Sequence, residues 1–282
     1  MRFVLLGKDV FADALAKAGG AVSGLEMLRC ASAKEMEAAN ADAAILTCVS
    51  GELEAAAEAA AERGMDVAIP GWLAAEHARL DRLHECFEAR GRRLRLLFPE
   101  RYAPNVADVR RILRAERLGR IGVLNLFIQW AEPGLGALYP LTEGLCLAED
   151  WLGKPIALHG VRSATGDVAC AALTARFESG ALLNLQSVCA PGEGAWRTEY
   201  ELSGSEGNLA YDSAEARSVR LSGTPGMNAR YPLLGTKVCP LERMLRALPK
   251  EFAAGEAGVP AEERALAAQI EQAFGEGSEV HA

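Results

Sequence analysis

Apolar and polar positions along the chain follow two different periods, and the change falls near the middle. Arg2 to Leu6 is a compact apolar run closed by Gly7, and Val10 to Lys17 follows it with helical spacing. Leu25 to Ala31 reads as a second strand. Ala43 to Thr47, Gly51 to Arg63 and Met65 to Ile69 then read strand, helix, strand, the middle segment being rich in Ala and Glu and stopped by Gly64. Two strands joined by a helix within about thirty residues make a right-handed βαβ unit on a parallel sheet. Ala74 to Ala89 carries Leu80, Leu83 and Phe87 on one helical stripe, Leu94 to Phe98 is a further strand, and a helix runs on to Glu116.

From Gly122 onward the period shortens to two. Val123 to Trp130, Ala157 to Ser163, Ala169 to Phe177, Ala181 to Cys189, Arg197 to Ser203 and Asn208 to Tyr211 are strand candidates, with Glu178-Ser179-Gly180 and Gly204-Ser205-Glu206-Gly207 as hairpin turns. Leu138 to Leu152 is a helix set ahead of most of these strands. Several Gly and Pro residues predict a loop over Ser222 to Cys239, and Pro240 to Ala254 and Pro260 to Phe274 read as closing helices that pack back across the molecule. The predicted fold is α/β plus α+β. A Rossmann-like parallel sheet with helices on both faces occupies residues 1–119, and a domain with a large, mostly antiparallel sheet occupies residues 120–282. One face of that second sheet needs cover from helices or from another subunit.

Composition narrows the partners. With 282 residues, half of them apolar, the chain can bury a sizeable core. A formal charge of -8 argues against nucleic acid or an anionic membrane as partner. The nearest basic patch, Arg90, Arg92, Arg93 and Arg95, lies between a predicted helix and a strand and reads as a solvated turn. Seven cysteines at scattered spacing, without CxxC, read as buried small hydrophobes in a reducing cytoplasm rather than as disulfides or metal ligands. No apolar run reaches the roughly twenty residues that cross a bilayer. His77 and His84 share a helix but stand two turns apart, too far to chelate one metal alone.

Parallel sheets bind ligands at the carboxyl ends of their strands, which directs attention to Gly7 to Asp9, Cys48 to Ser50 and Pro70 to Trp72. Read as a G-x-G-x-x-G fingerprint, the first turn becomes Gly7, Asp9 and Ala12. Asp9 puts a carboxylate where the second glycine lets backbone approach a pyrophosphate. It also suits a helix N-cap, and that reading is favoured over a phosphate loop. The second strand ends in Cys30, Ala31 and Ser32, without the acid that usually holds adenosine ribose; Lys34 or Arg29 could face a 2'-phosphate, which leaves NADP less excluded than NAD.

The stretch ADAAILTCVSGELEAAAEAAAERGMDVAIPGWLA, Ala41 to Ala74, resembles the glucose-fructose oxidoreductase, inositol dehydrogenase and rhizopine-catabolism (Gfo/Idh/MocA) family, whose pattern runs ADAVxIATPPxxH, helix, AGKHVxxEKPLA. Arg101-Tyr102-Ala103-Pro104 with Leu118-Gly119-Arg120-Ile121-Gly122 resembles that family's RFxP and LGxIG. ALTARFESGALLNLQSV followed by YELSGSEGNLAYD resembles its carboxy-terminal domain, where related proteins commonly pair sheet to sheet. The resemblance implies an NAD(P)-type cofactor turn at Gly7, Lys8, Asp9, Cys48 and Val49, a substrate pocket near Trp72, Arg101, Tyr102 and Tyr139, and a homo-oligomer built through the carboxy-terminal sheet.

It also marks departures. The family's Glu-Lys-Pro falls on Pro70, Gly71 and Trp72, and its loop histidine falls on Leu53. Its catalytic histidine falls on Glu143, and its aspartates fall on Gly144 and Cys146. Trp72 would fill space that a nicotinamide or sugar needs, or stack on a flat ligand. Glu143 reads as a first-turn residue favoured by the helix dipole, or as a general base if burial raised its pKa. The expectation is a cytoplasmic ligand-binding or assembly paralogue without dehydrogenase turnover. Two alternatives stand beside it: an NAD(P)-dependent oxidoreductase on a sugar-like or cyclic polyol substrate with a rearranged site, and an elimination or hydrolysis enzyme built around Glu143.

Overall fold

The computed structural model describes residues 1–47, 52–71, 77–130, 138–190, 197–214, 218–223, 229–232 and 239–274. In chain order the elements begin β1 (Arg2–Leu6), α1 (Val10–Gly20), β2 (Glu26–Cys30), α2 (Ala33–Ala38), β3 (Ala43–Leu46), α3 (Glu52–Glu62), β4 (Asp66–Pro70), α4 (His77–Ala89) and β5 (Leu94–Leu97). They continue with α5 (Pro104–Arg114), β6 (Ile121–Trp130), α6 (Leu138–Leu152), β7 (Pro155–Thr165), β8 (Val168–Phe177), β9 (Leu182–Cys189) and β10 (Arg197–Gly204). The last are β11 (Gly207–Asp212), β12 (Ser218–Gly223), β13 (Ala229–Pro232), α7 (Pro240–Ala254) and α8 (Ala261–Ala273). Two compact units result: Met1–Tyr102 with Val238–Ala267, and Ala103–Lys237 with Ala268–Ala282.

The first unit is a parallel sheet in the order β2-β1-β3-β4-β5. β3, β4 and the edge strand β5 are wholly buried, as near-continuous apolar runs in a two-sided parallel sheet. On one face Phe3, Leu5, Ile45 and Ala68 meet Phe11 and Leu15 of α1 and Met244, Leu245, Leu248 and Phe252 of α7. The rings of Phe3 and Phe252 lie 6.3 Å apart. The predicted stripe of α4, Leu80, Leu83 and Phe87, is buried. Residues past α7 finish the sheet: Gly258 makes a parallel bridge to Arg93, its N–H donating to the Arg92 carbonyl at 2.7 Å while its own carbonyl accepts from Leu94 at 2.9 Å.

The second unit carries an eight-stranded sheet in the order β13-β12-β11-β10-β6-β9-β8-β7, antiparallel except for the β6–β9 pair. Alternate positions, among them Leu124, Leu126, Ile128, Leu183, Leu185 and Leu202, are buried on one face, against which α6 packs. Gly144 is what lets α6 lie that close, since a Cβ there would stand 2.5 Å from a Leu185 methyl. Trp151, Tyr200 and Tyr211 form a run of ring contacts at 5.0 Å, and Asn105 donates to the Tyr200 hydroxyl at 3.2 Å.

Each predicted strand of this half is present, with ends within two residues of those expected. Three details differ from expectation. Ser222 to Cys239 is not all loop, because β12 reaches Gly223 and β13 lies inside it, both pairing by backbone bonds that a Gly- and Pro-containing stretch conceals. α2 was not expected: Ser32 caps it, accepting from the Glu35 N–H at 3.3 Å. The basic turn is solvated only in part. Arg95 is 7% exposed and donates to the carbonyls of Leu94, Gly258 and Glu256, while Arg93 donates to the Gly255 carbonyl and to Asp66.

Candidate functional site

In the first unit the strand order reverses between β1 and β3, so the crevice at the carboxyl ends of those strands is where such a sheet takes ligand. Gly7 and Thr47 meet there. A Cβ on Gly7 would sit 1.8 Å from the Thr47 hydroxyl oxygen, so close strand packing accounts for this glycine by itself. That hydroxyl is fully buried and has no hydrogen-bond partner among the described residues.

The turn after β1 leads straight into α1, whose N-cap is Asp9. The Asp9 carboxylate accepts the Ala12 N–H at 2.6 Å and so occupies one of the free donors at the helix N-terminus. Beside it lies a cavity of about 700 Å³, bounded by Gly7, Lys8 and Asp9 from the turn, Ala31 to Ala33 after β2, Glu37 on α2, and Glu52 with Ala55, Ala56 and Ala59 on α3. Its charged lining is Lys8, Asp9, Glu37 and Glu52, with Arg63 standing 3.7 Å from Glu37. Arg29, the cation that sequence reading placed near a 2'-phosphate, is bound to Asp13 at 2.5 Å, with a second nitrogen 3.4 Å from the Gly7 carbonyl.

Glu37 and Glu52 were not singled out from sequence, where attention fell on the end of β2. The Ser32-x-x-Glu35 capping signature, which turns the chain into α2 and brings Glu37 toward the cavity, was the available signal. Glu52 opens α3, where a carboxylate also suits the helix dipole. Cys48, Val49 and Trp72 lie outside the described residues, as does the side chain of Tyr139.

Arg101 and Tyr102 close the short 3-10 turn Pro99–Tyr102 after β5. The Tyr102 hydroxyl donates to Glu251 on α7 in a short hydrogen bond, and burial together with that neighbouring carboxylate pushes its pKa up. Close by, Glu263 of α8 is buried and accepts the Leu96 N–H at 3.0 Å. Burial raises its carboxyl to about 8, against the Leu96 bond and the charges of Arg95 and Arg101, which pull the other way. This cluster ties the carboxy-terminal helices to the edge of the parallel sheet.

In the second unit Glu143 is the sixth residue of α6 and fully buried. The helix begins at Leu138 and its first turn holds no acid, so the helix dipole does not account for Glu143. Thr142 and Leu141 beside it are buried too, as is Cys146. Among the described residues no three His, Cys, Asp or Glu side chains gather as a metal site would require. The described cysteines form no disulfide; Cys30, Cys146 and Cys189 are buried, whereas Cys239 is exposed.

No protein-family profile matches the chain, and no curated protein does. Solved structures match its fold along nearly the full length. An oxidoreductase from Agrobacterium radiobacter in complex with NAD+, L-tartaric acid and magnesium is 14% identical, covering 97% of this chain and 95% of that one with a TM-score of 0.78. Biliverdin reductase from Synechocystis sp. PCC 6803, in complex with biliverdin and NADP+, is 14% identical with a TM-score of 0.75 over 96% of this chain and 98% of the other. Levoglucosan dehydrogenase in complex with NADH is likewise 14% identical, with a TM-score of 0.75 over 97% and 96%. At such identities the likeness speaks for architecture alone, and in architecture this chain has the fold of the Gfo/Idh/MocA-type oxidoreductases.

Proposed function

We propose that this chain is a cytoplasmic ligand-binding protein on a dehydrogenase fold, and that its crevice takes a small hydroxyl-rich or cationic molecule in place of a dinucleotide. The observation that carries this reading is Asp9. Its carboxylate holds the helix N–H that a pyrophosphate would use, and it brings a negative charge to the cavity wall, where Glu37 and Glu52 add two more. A phosphate entering that space meets three acidic residues in the wall, while Lys8 attracts it and the nearby cations Arg29 and Arg63 are engaged by Asp13 and Glu37. Hydroxyl groups suit carboxylate acceptors, which is the role an acid plays beside the ribose in dinucleotide sites. Titration with NADH and NADPH, followed by nicotinamide fluorescence, tests it. The expected result is no change for the parent chain up to about millimolar concentrations and measurable binding for Asp9→Gly.

A second reading keeps an NAD(P)-dependent oxidoreductase acting on a sugar-like or cyclic polyol substrate. The cavity itself favours it, since about 700 Å³ remains open against the β1–α1 turn and the end of β2. Micromolar binding of NADH or NADPH by the parent chain would put this reading first.

A further inference from the structure

β5 ends the parallel sheet, and the segment that covers its edge, residues 255–263, makes one rung of a strand and then stops. The rung is the Gly258 bridge. A second would need Pro260 to donate to the Leu94 carbonyl, but proline has no N–H. The Pro260 carbonyl is also taken, accepting from Glu263 and Arg264 as α8 begins. Side chains replace the missing rung. An Arg95 nitrogen donates to the Leu94 carbonyl at 2.8 Å, and the Glu263 carboxyl accepts the Leu96 N–H at 3.0 Å.

Polar bonds hold the rest of this segment. Arg93 donates to the Gly255 carbonyl at 2.8 Å, Arg95 to those of Glu256 and Gly258 at 3.3 and 3.2 Å, and the Val259 N–H to His84 Nδ1 at 3.0 Å. Val259 is its one apolar side chain in the core, whereas α7 just before it buries Met244, Leu245, Leu248 and Phe252. A stretch with so little apolar contact opens at lower cost than the helix it follows. Glu263 is its buried titratable group. It faces Arg95 from β5, Arg101 from the turn after β5, Glu262 on its own helix, and Tyr102, itself bonded to Glu251 of α7. Burial outweighs the pull of the two arginines and raises the carboxyl to about 8.

We propose that residues 255–263 are a releasable strap: when Glu263 loses its proton the segment leaves β5, while the sheet and α7 stay folded. Opening bares the N–H groups of Leu94 and Leu96 and frees Arg93 and Arg95 from the strap's carbonyls, with Arg93 keeping Asp66. The opened form therefore presents an unpaired strand edge beside two arginines, on a chain whose formal charge is -8. The direction follows from the two states. In water the carboxyl titrates near 4.5, and under the strap at about 8. Each added pH unit between those values favours opening about tenfold, and nothing more is gained above the upper one.

Hydrogen exchange of the full chain tests the proposal, read amide by amide from about pH 6.5 to about pH 9.5 and divided by the rates of unstructured peptides. The amides of Leu94, Leu96 and Gly258 report the strap, and those of Val4 and Ile45 report the sheet. The opening constant of the first three is expected to rise about thirtyfold and to level off above about pH 8, with the last two unchanged. Glu263→Gln keeps an acceptor for Leu96 and should make the strap amides indifferent to pH. An equal rise at Val4 and Ile45, a flat profile in the parent, or a Glu263→Gln profile that follows the parent's would overturn the proposal. The first two outcomes need no variant, so they decide the matter if the glutamine form does not fold.

Discussion

Gly7 and Thr47 show how two residues can record a choice between packing and function. Alanine at Gly7 would drive its methyl into the Thr47 hydroxyl, so Gly7→Ala is expected to lower stability by about 1–3 kcal/mol in urea unfolding. Thr47→Val replaces a buried, unpartnered hydroxyl by a methyl of nearly equal size and should gain about 1 kcal/mol in the same measurement. Glu263 gives a pH-dependent counterpart. Its carboxyl titrates near 4.5 when free and at about 8 in the fold. Between those values the unfolded chain releases a proton that the folded chain keeps. The site's contribution is therefore whole below the lower value and is lost as the pH climbs toward the upper one. Glu263→Gln keeps an acceptor for the Leu96 N–H and cannot ionise, so near pH 8 it should exceed the parent by on the order of 2 kcal/mol, with the advantage gone near pH 4. Asp9 could be read from sequence because a cap acts over three residues. Glu263 could not, because its partner Leu96 lies 167 positions away.

Among the elements, those with a strong period were legible and those held by distant pairing were not. α7 illustrates the first kind. Pro240 fits its first turn, and its spacing puts Met244, Leu245, Leu248 and Phe252 on one buried stripe. Phe252→Ala should cost about 3–5 kcal/mol, read as a lower urea midpoint, because the ring fills space against Phe3 that no neighbour can close. β12 and β13 illustrate the second kind: short strands whose registers come from β11 rather than from their own composition. α6 falls between. Its span was plain, but the burial of Glu143 depends on which side of the helix meets β6 and β9, and Gly144 set that only once the sheet was in place.

For the molecule as a whole, the change of period near Gly122 was enough to separate a parallel sheet from an antiparallel one, since each architecture imposes its own spacing. The chemistry of the crevice was less legible. Glu37 and Glu52 belong to helices whose turn toward the cavity is a tertiary fact, while Lys8 and Asp9 follow directly from β1. The chain's return is also a whole-molecule property: Val238–Ala267 is counted with the parallel sheet, to which Arg93, Arg95, His84 and Leu96 bind it. A fragment ending at Lys237 should therefore lose cooperative unfolding and be cut rapidly by protease within its first hundred residues, as circular dichroism melts and limited proteolysis would report.

The bridge between Arg93 and Gly258 also has a temporal meaning. Although β1 to β5 are made early relative to it, the border of their sheet is finished by Gly258, 163 positions after Arg95. Until Gly258 has been made, the nascent chain must therefore carry an uncovered β5, and whatever guards it against aggregation has to act over that interval.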